Sequence, residues 1–371
     1  MTRKGVWNLQ QVRDKYLQSL WDNPTKMWLA GSNEEGSMGQ NLRYNQLAGR
    51  SSPTQISGDW NDVAILEKGV VASKTDGTLW AWGYNYRGEA GQNNTTKYSS
   101  PTQIGSDSTW KRVGGGRNVA IATKTDGTLW AWGDNTNGQL GDNSTIRKSS
   151  PVQVGSDTTW DWPVAGGYAS GAVKTDGTFW TWGNNDDHML GHNDNTQRSS
   201  PVQIGSNVTQ AEMGKEATYF VSGSTGRSCG KNSEGQLGHN NETNYSSPRQ
   251  IPGSWKALSC GSDKVGGGIK TDGTLWAFGD GTQGVLGQNE ANVKYTSPKQ
   301  IPGSTWSTLT GSKDNGACFI ATKTDGTLWA WGSNSGGKFM QNAETSYSSP
   351  KQISGTLWSL NWWQHSVDGG D

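Results

Sequence analysis

Ten residues, Lys124-Thr125-Asp126-Gly127-Thr128-Leu129-Trp130-Ala131-Trp132-Gly133, constrain this chain more than any other stretch. They recur almost letter for letter at Lys74 to Gly83, Lys174 to Gly183, Lys270 to Gly279 and Lys323 to Gly332. Thr-Asp-Gly is turn chemistry, since Asp bonds its own backbone and Gly accepts a positive φ without a Cβ clash. The run after the turn alternates, with Thr128, Trp130 and Trp132 on one side and Leu129 and Ala131 on the other, a period of two. Asn118 to Thr123 is also extended in character, so the spacing predicts a β-hairpin closed at Asp-Gly. A unit copied this often dictates architecture and says far less about activity.

A second marker keeps the same beat. Prolines stand at Pro53, Pro101, Pro151, Pro201, Pro248, Pro298 and Pro350, in steps of 48, 50, 50, 47, 50 and 52 residues. A tryptophan follows each anchor (Trp60, Trp110, Trp160, Trp255, Trp306 and Trp358) except after Pro201. Each period thus holds four short strands: the segment after the proline, the one after the single Trp, and the two hairpin arms. Four strands in about 40–50 residues is the pattern of a β-propeller blade.

Composition agrees with such a ring. Hydrophobic residues reach only 31%, low beside the usual ~45–50% on a count that includes Gly. The chain has 21 Trp and 53 Gly, so a few large indoles supply the buried area while glycines turn the corners. That aromatic content excludes a disordered chain. All but Trp7, Trp21, Trp162, Trp362 and Trp363 fall in three repeat slots, which predicts indoles wedged between blades. Lys+Arg and Asp+Glu are both 32, leaving no basic excess to drive nucleic-acid binding. Cys229, Cys260 and Cys318 read as small buried hydrophobes. No apolar run approaches the roughly 20 residues of a membrane span, and Met-Thr-Arg-Lys-Gly lacks the apolar core of a signal peptide.

Catalytic signatures are thin. His188 and His192 are spaced i, i+4 but sit in a Gly/Asn loop without the Glu of a His-Glu-x-x-His site, and Asp186, Asp187 and Asp194 do not follow the calcium-loop spacing. Gly114-Gly115-Gly116 and Gly266-Gly267-Gly268 lack a following Gly-Lys-Ser/Thr, so they are expected as close backbone approaches at the inner end of a blade. The aspartates of Thr-Asp-Gly recur too regularly for catalysis. The expectation is no enzyme, no cofactor and no metal.

The ends differ from the middle. Within residues 5–22, Val6, Leu9, Val12, Tyr16, Leu17 and Leu20 fall at helical spacing, with polar residues opposite. Two readings stay open: a helix docked on its own domain, or an anchor through Trp7, Leu9, Val12, Tyr16 and Leu20 to another protein. The expected division is an arm over residues 1–23 and a propeller over 24–371. Lys26 to Gly31 starts where the last repeat stops, so it is expected to share one blade with the segment near Gln364 to Val367. Trp362 and Trp363 are candidates for exposed aromatic surface on which a glycan could stack.

The loop form Trp-Gly-x-Asn-x-x-Gly-Gln-Leu-Gly, seen whole at Trp132 to Gly141 and in seven copies starting near Gly31, Gly83, Gly133, Gly183, Gly230, Gly279 and Gly332, resembles the RCC1-type repeat of the regulator-of-chromosome-condensation family. That resemblance spans Lys26 to Asp371 and implies an all-β, seven-bladed propeller. The fifth repeat departs from it, with Ser224-Thr225-Gly226-Arg227-Ser228-Cys229 in place of the usual turn and Trp pair. Gly5 to Arg13 resembles the leader of many tailed-phage virion proteins. Three functions follow as expectations. The first is a non-enzymatic virion component for assembly or adhesion, made in the host cytoplasm, joined to other virion proteins by its arm and meeting a host glycan or protein. The second is a guanine-nucleotide exchange factor for a small GTPase, which the resemblance implies but for which steps of 47 to 52 leave no long projecting element. The third is a carbohydrate-binding propeller.

Overall fold

The computed structural model describes residues 26–42, 49–312 and 317–354. The leader with Trp7, Leu9, Val12, Tyr16 and Leu20, and the tail with Trp362, Trp363 and Gln364 to Val367, lie outside the described residues.

What forms is all-β, as the period-two runs require. A two-stranded first sheet pairs Met27–Ser32 with Gly49–Ile56. The second sheet runs Trp60–Ile65, Gly69–Lys74, Leu79–Gly83 and Tyr98–Gln103 in spatial as well as chain order. The same meander repeats from Trp110 to Gln153, Trp160 to Gly205, Val208 to Tyr245 and beyond, Trp255 to Ile301, and Trp306 to Ile353. The fifth and sixth sheets share the long strand Tyr245–Ser262, whose first half pairs with Thr225–Gly230 and whose second half pairs with Val265–Lys270.

The expected hairpin is present at each regular repeat. Val119 faces Gly133 and Thr123 faces Leu129 across it, and Gly127 takes a φ of 78° in the turn. Asp126 Oδ1 accepts both the Thr128 N–H at 2.9 Å and the Thr128 hydroxyl at 2.7 Å. These bonds hold the Asp126 carboxyl below its ordinary range, which explains a recurring Asp without invoking chemistry.

Both faces of each sheet are buried against neighbours, so alternation selects a partner sheet rather than core against solvent. Leu79 and Ala81 of the second sheet pack with Trp110 and Trp132 of the third. Leu129 and Ala131 of the third pack with Trp160 and Trp182 of the fourth. The second indole of each pair also clasps the preceding sheet's loop: Trp82 Nε1 donates to Ser37 O, Trp132 to Glu89 O, Trp182 to Gln139 O and Trp331 to Val285 O, at 2.8–3.0 Å. Gly141 ends one such loop because a Cβ there would lie 2.7 Å from Trp182 Nε1.

A second link repeats at every joint. Asn41, Asn93, Asn143, Asn193, Asn240, Asn289 and Asn342 all have φ between 53° and 63°, a region Asn visits more readily than most residues. Each donates its backbone N–H to the next sheet's outer strand: to Ser99, Ser149, Ser199, Ser246, Thr296, Ser348 and, from Asn342, back to Ser51 of the first sheet, at 2.6–2.8 Å. The first sheet is therefore held on both sides, with Met27 and Ile56 packed against Trp60 and Val63 and Ala30 packed against Cys318, Ile320 and Phe339.

One sequence expectation needs correcting. Gly114, Gly115 and Gly116 do mark close approach of neighbouring inner strands, since a Cβ on them would fall 2.9, 2.6 and 2.2 Å from Pro163 O, Ile65 O and Gly166 O. Gly266, Gly267 and Gly268 lie instead inside the second strand of the sixth sheet, where a Cβ on Gly266 or Gly268 would fall 2.7 Å from Gln236 O or Ala257 O and where the three also leave room for the rings of Phe278, Phe319 and Trp255.

Candidate interaction surface

Because strands alternate in direction, links after first and third strands gather at one end of every sheet, and links after second and fourth strands at the other. The two ends differ in how their charged groups are arranged.

At the turn-bearing end, each regular repeat holds its hairpin lysine between two of its own indoles. Lys124 Nζ sits 4.7 Å from the Trp110 ring centre and 4.1 Å from that of Trp130, and also pairs with Asp107 at 2.6 Å. Trp130 Nε1 donates to Thr128 Oγ1 at 2.9 Å. Lys74, Lys174, Lys270 and Lys323 repeat this lysine between two indoles. The first indole of each set answers to linker length. Trp60 and Trp255 reach the carbonyl four residues back, at Ile56 and Ile251. Trp110, Trp160 and Trp306 follow longer linkers, and their Nε1 atoms are buried without a hydrogen-bond partner.

At the loop-bearing end the Gly-rich loops are organised by an asparagine. Asn135 Oδ1 accepts the Leu140 N–H at 2.9 Å, while its Nδ2 donates to the Ser144 and Ile146 carbonyls at 3.1 Å. Asn85, Asn185, Asn232 and Asn334 take the same role. The shorter links after the first strands then join from sheet to sheet: Glu67 N–H to Arg117 O, Arg117 N–H to Gly166 O, Gly167 N–H to Gly214 O. Charges follow this path. Arg117 pairs with Glu67 at 3.0 Å and its guanidinium donates to the Tyr168 hydroxyl. Lys215 faces Asp263 at 3.4 Å, and Glu216 holds Lys231 at 2.8 Å. Asn137, Tyr168, Asn184, Asp186, Asp187, Lys215 and Glu216 line a shallow open groove across this rim.

The described histidines, His188, His192 and His239, are loop hydrogen-bonders. His192 Nε2 meets Thr181 Oγ1 at 3.1 Å and His188 Nδ1 meets the Asp194 carbonyl at 3.1 Å. Burial pulls the His192 and His239 pKa values down, toward neutral rings. Cys229, Cys260 and Cys318 are free and buried, and burial pushes the Cys229 thiol up to about 12. Among the described residues no group of three or more His, Cys, Asp or Glu is placed to hold a metal, and no helix is long and apolar enough to cross a membrane. The sequence reading missed the loop asparagines and the charged rim. A fixed Asn two residues after Trp-Gly was visible, but its bonds to positions five to eleven residues on were not.

Comparison with known proteins agrees with this architecture. The regulator of chromosome condensation (RCC1) repeat matches residues 76–123, 126–173, 176–221 and 228–265, and a second model of that repeat matches 110–139. The chain therefore carries RCC1 repeats. The first three matched segments start at a hairpin turn and the fourth within the third strand of the fifth sheet; all end in the next sheet's second strand, so one sequence repeat stitches two sheets together. Human WBSCR16 superposes with a TM-score of 0.77 at 17% identity, covering 89% of this chain and 94% of its own. Prp20p of Saccharomyces cerevisiae, whose structure was described with its binding properties to Gsp1p and histones, gives 0.76 at 15%, covering 91% and 89%. Yeast RCC1 (Prp20) bound to Kap60 gives 0.75 at 15%, covering 95% and 89%. At these identities the likeness establishes an RCC1-like propeller fold. No curated protein matches the sequence.

Proposed function

We propose that this RCC1-repeat propeller is a non-enzymatic protein-docking ring of seven blades, with the loop-bearing rim as its contact face. The observation that carries the reading is the contrast between the two ends. At the turn end Lys74, Lys124, Lys174, Lys270 and Lys323 are each held between two indoles of their own sheet, whereas the loop end strings Glu67, Arg117, Tyr168, Lys215 and Asp263 from sheet to sheet along one rim beside an open groove. The seven asparagine links support the blade count. Met27–Ser32 has one strand partner among the described residues.

Exchange activity on a small GTPase is the second reading. It is favoured by the likeness to Prp20p, studied for its binding to Gsp1p, and opposed by the even repeat lengths. The virion setting rests on the leader alone, and none of these relatives speaks for it.

One experiment separates these readings. The full chain is titrated into a GDP-loaded Gsp1-type GTPase while binding and nucleotide release are followed together. Accelerated release establishes exchange, and binding without release leaves a scaffold. Arg117→Glu with Lys215→Glu should abolish either, with circular dichroism unchanged, while Lys299→Glu with Lys351→Glu on exposed outer strands should not. An effect from the second pair and none from the first refutes the assignment of the face. No binding by the unaltered chain removes this GTPase as the partner.

A further inference from the structure

Glu89 stands where two sister loops carry an amide and the others carry Ser37, Met189, Val285 and Lys338. Gln139 Oε1 accepts the Asn137 N–H at 2.8 Å, and Gln236 Oε1 accepts the Glu234 N–H at 2.9 Å. The other half of the Gln236 amide, Nε2, donates across the joint to Asp263 O at 3.1 Å. Glu89 reproduces the acceptor half, its Oε2 taking the Arg87 N–H at 2.7 Å. Its Oε1 is buried with no hydrogen-bond partner, in a residue only 1% exposed. An ionised carboxylate offers acceptors alone, but a carboxylic acid carrying its proton on Oε1 supplies the donor that the amide supplies elsewhere.

The surroundings are short of donors. Arg87, from the same loop, lies 3.5 Å from Asp134 Oδ1, and Arg147 of the following sheet reaches that same oxygen at 2.8 Å. Both guanidinium groups thus converge on Asp134, itself a buried carboxylate that also accepts the Asn135 N–H. The Tyr84 phenol is near enough for the Glu89 charge to add to burial in raising its pKa, but it makes no hydrogen bond to Glu89 Oε1. Asn118, whose backbone carbonyl accepts the Asp134 N–H at 2.8 Å, has its own Oδ1 buried without a partner.

We propose that Glu89 is carried as the neutral acid, making the joint between the second and third sheets a proton-dependent seam. Burial is the largest cause pushing this carboxyl up to about 7, with Asp134 adding to it against the N–H groups of Glu89 itself and of Arg87 and against the Arg87 guanidinium. Above that pH a poorly compensated carboxylate sits in the loop from which the Trp132 indole hangs, its Nε1 donating to Glu89 O at 2.9 Å. The native state keeps a proton that the unfolded chain releases near its ordinary 4.5. Native protein therefore binds more protons between those two values, and stability falls as pH rises through the window and levels off above about 7.

The test compares urea unfolding of the full chain with that of Glu89→Gln between about pH 5 and pH 8. The ratio of folding constants, variant over unaltered chain, should rise by up to about tenfold per pH unit and flatten above about pH 7. Asp62, also pushed up to about 7 by burial, is present in both and cancels. Infrared spectra near pH 6 provide an independent readout, with a protonated-carboxyl carbonyl band weaker in Glu89→Gln. A ratio independent of pH, or a band the variant leaves intact, overturns the proposal. So does a variant that cannot fold, because an amide should fit this slot.

Discussion

Replacing Trp132 by alanine tests whether the indoles bind the sheets together. Trp132 is fully buried and packs with Leu79 and Ala81 of the preceding sheet. A buried aromatic removes roughly 150–250 Å² from water, worth about 4–6 kcal/mol at ~25 cal/mol/Å². Truncations of large aromatics to alanine cost about 3–5 kcal/mol in practice. The variant also strips Glu89 O of its indole donor, worth about 1 kcal/mol. The expected loss is about 4 kcal/mol, a large part of a domain's usual ~5–15 kcal/mol. Trp130 is only half-buried, against Lys124 and Trp110, so Trp130→Ala should cost about 2 kcal/mol. Arg227, which occupies the Trp130 slot of the fifth sheet, should cost less than about 1 kcal/mol as Arg227→Ala. Urea midpoints at one pH, with the slope checked for constancy, give the comparison. Losses for Trp132→Ala and Arg227→Ala within about 1 kcal/mol of each other would refute the reasoning.

Two further outcomes are expected. Asn135→Ala removes the acceptor for Leu140 N–H and the donor to the Ser144 and Ile146 carbonyls, so it should cost about 2–3 kcal/mol and speed amide exchange at Leu140, as hydrogen exchange by NMR would show. Asp157 is pulled down to about 2, first by Lys174 and then by Thr159; because its native pKa is depressed, its contribution is present above about pH 4 and is lost as pH falls toward 2, so Asp157→Asn should flatten that acid limb of the unfolding curve.

The repeat unit was legible because its signals are local. Asp126 and Gly127 make a turn within four residues, and Leu129 to Gly133 alternates within one strand. Stacking of the sheets followed from the indole count, since so few other apolar side chains were available. The joints were not legible. Trp132 finds Glu89 O across 43 residues, and Asn342 finds Ser51 across 291. Such distances follow from the period only after a ring has been assumed. The glycines of 266–268 misled for a related reason. A glycine triplet reads as close backbone approach at a blade's inner strand, yet here it sits in a second strand and leaves space for aromatic rings as well as for backbone. Glu89 in place of the Gln of two sister loops was visible as a letter change, but its missing donor appears only once both sides of the joint are in place.

Closure of the ring is the claim on which the rest depends, and disulfide trapping tests it most directly. Asn342 and Ser51 are linked N–H to O at 2.7 Å, and Asn143 and Ser199 are linked in the same way at an interior joint at 2.8 Å. The native cysteines at 229, 260 and 318 are buried and should not compete under mild oxidation. Ser51→Cys with Asn342→Cys should therefore cross-link as fast and as completely as Ser199→Cys with Asn143→Cys, producing a band of altered mobility that reverts on reduction. Trapping of the interior pair without the Ser51–Asn342 pair would contradict a closed ring and, with it, the docking face built on that ring.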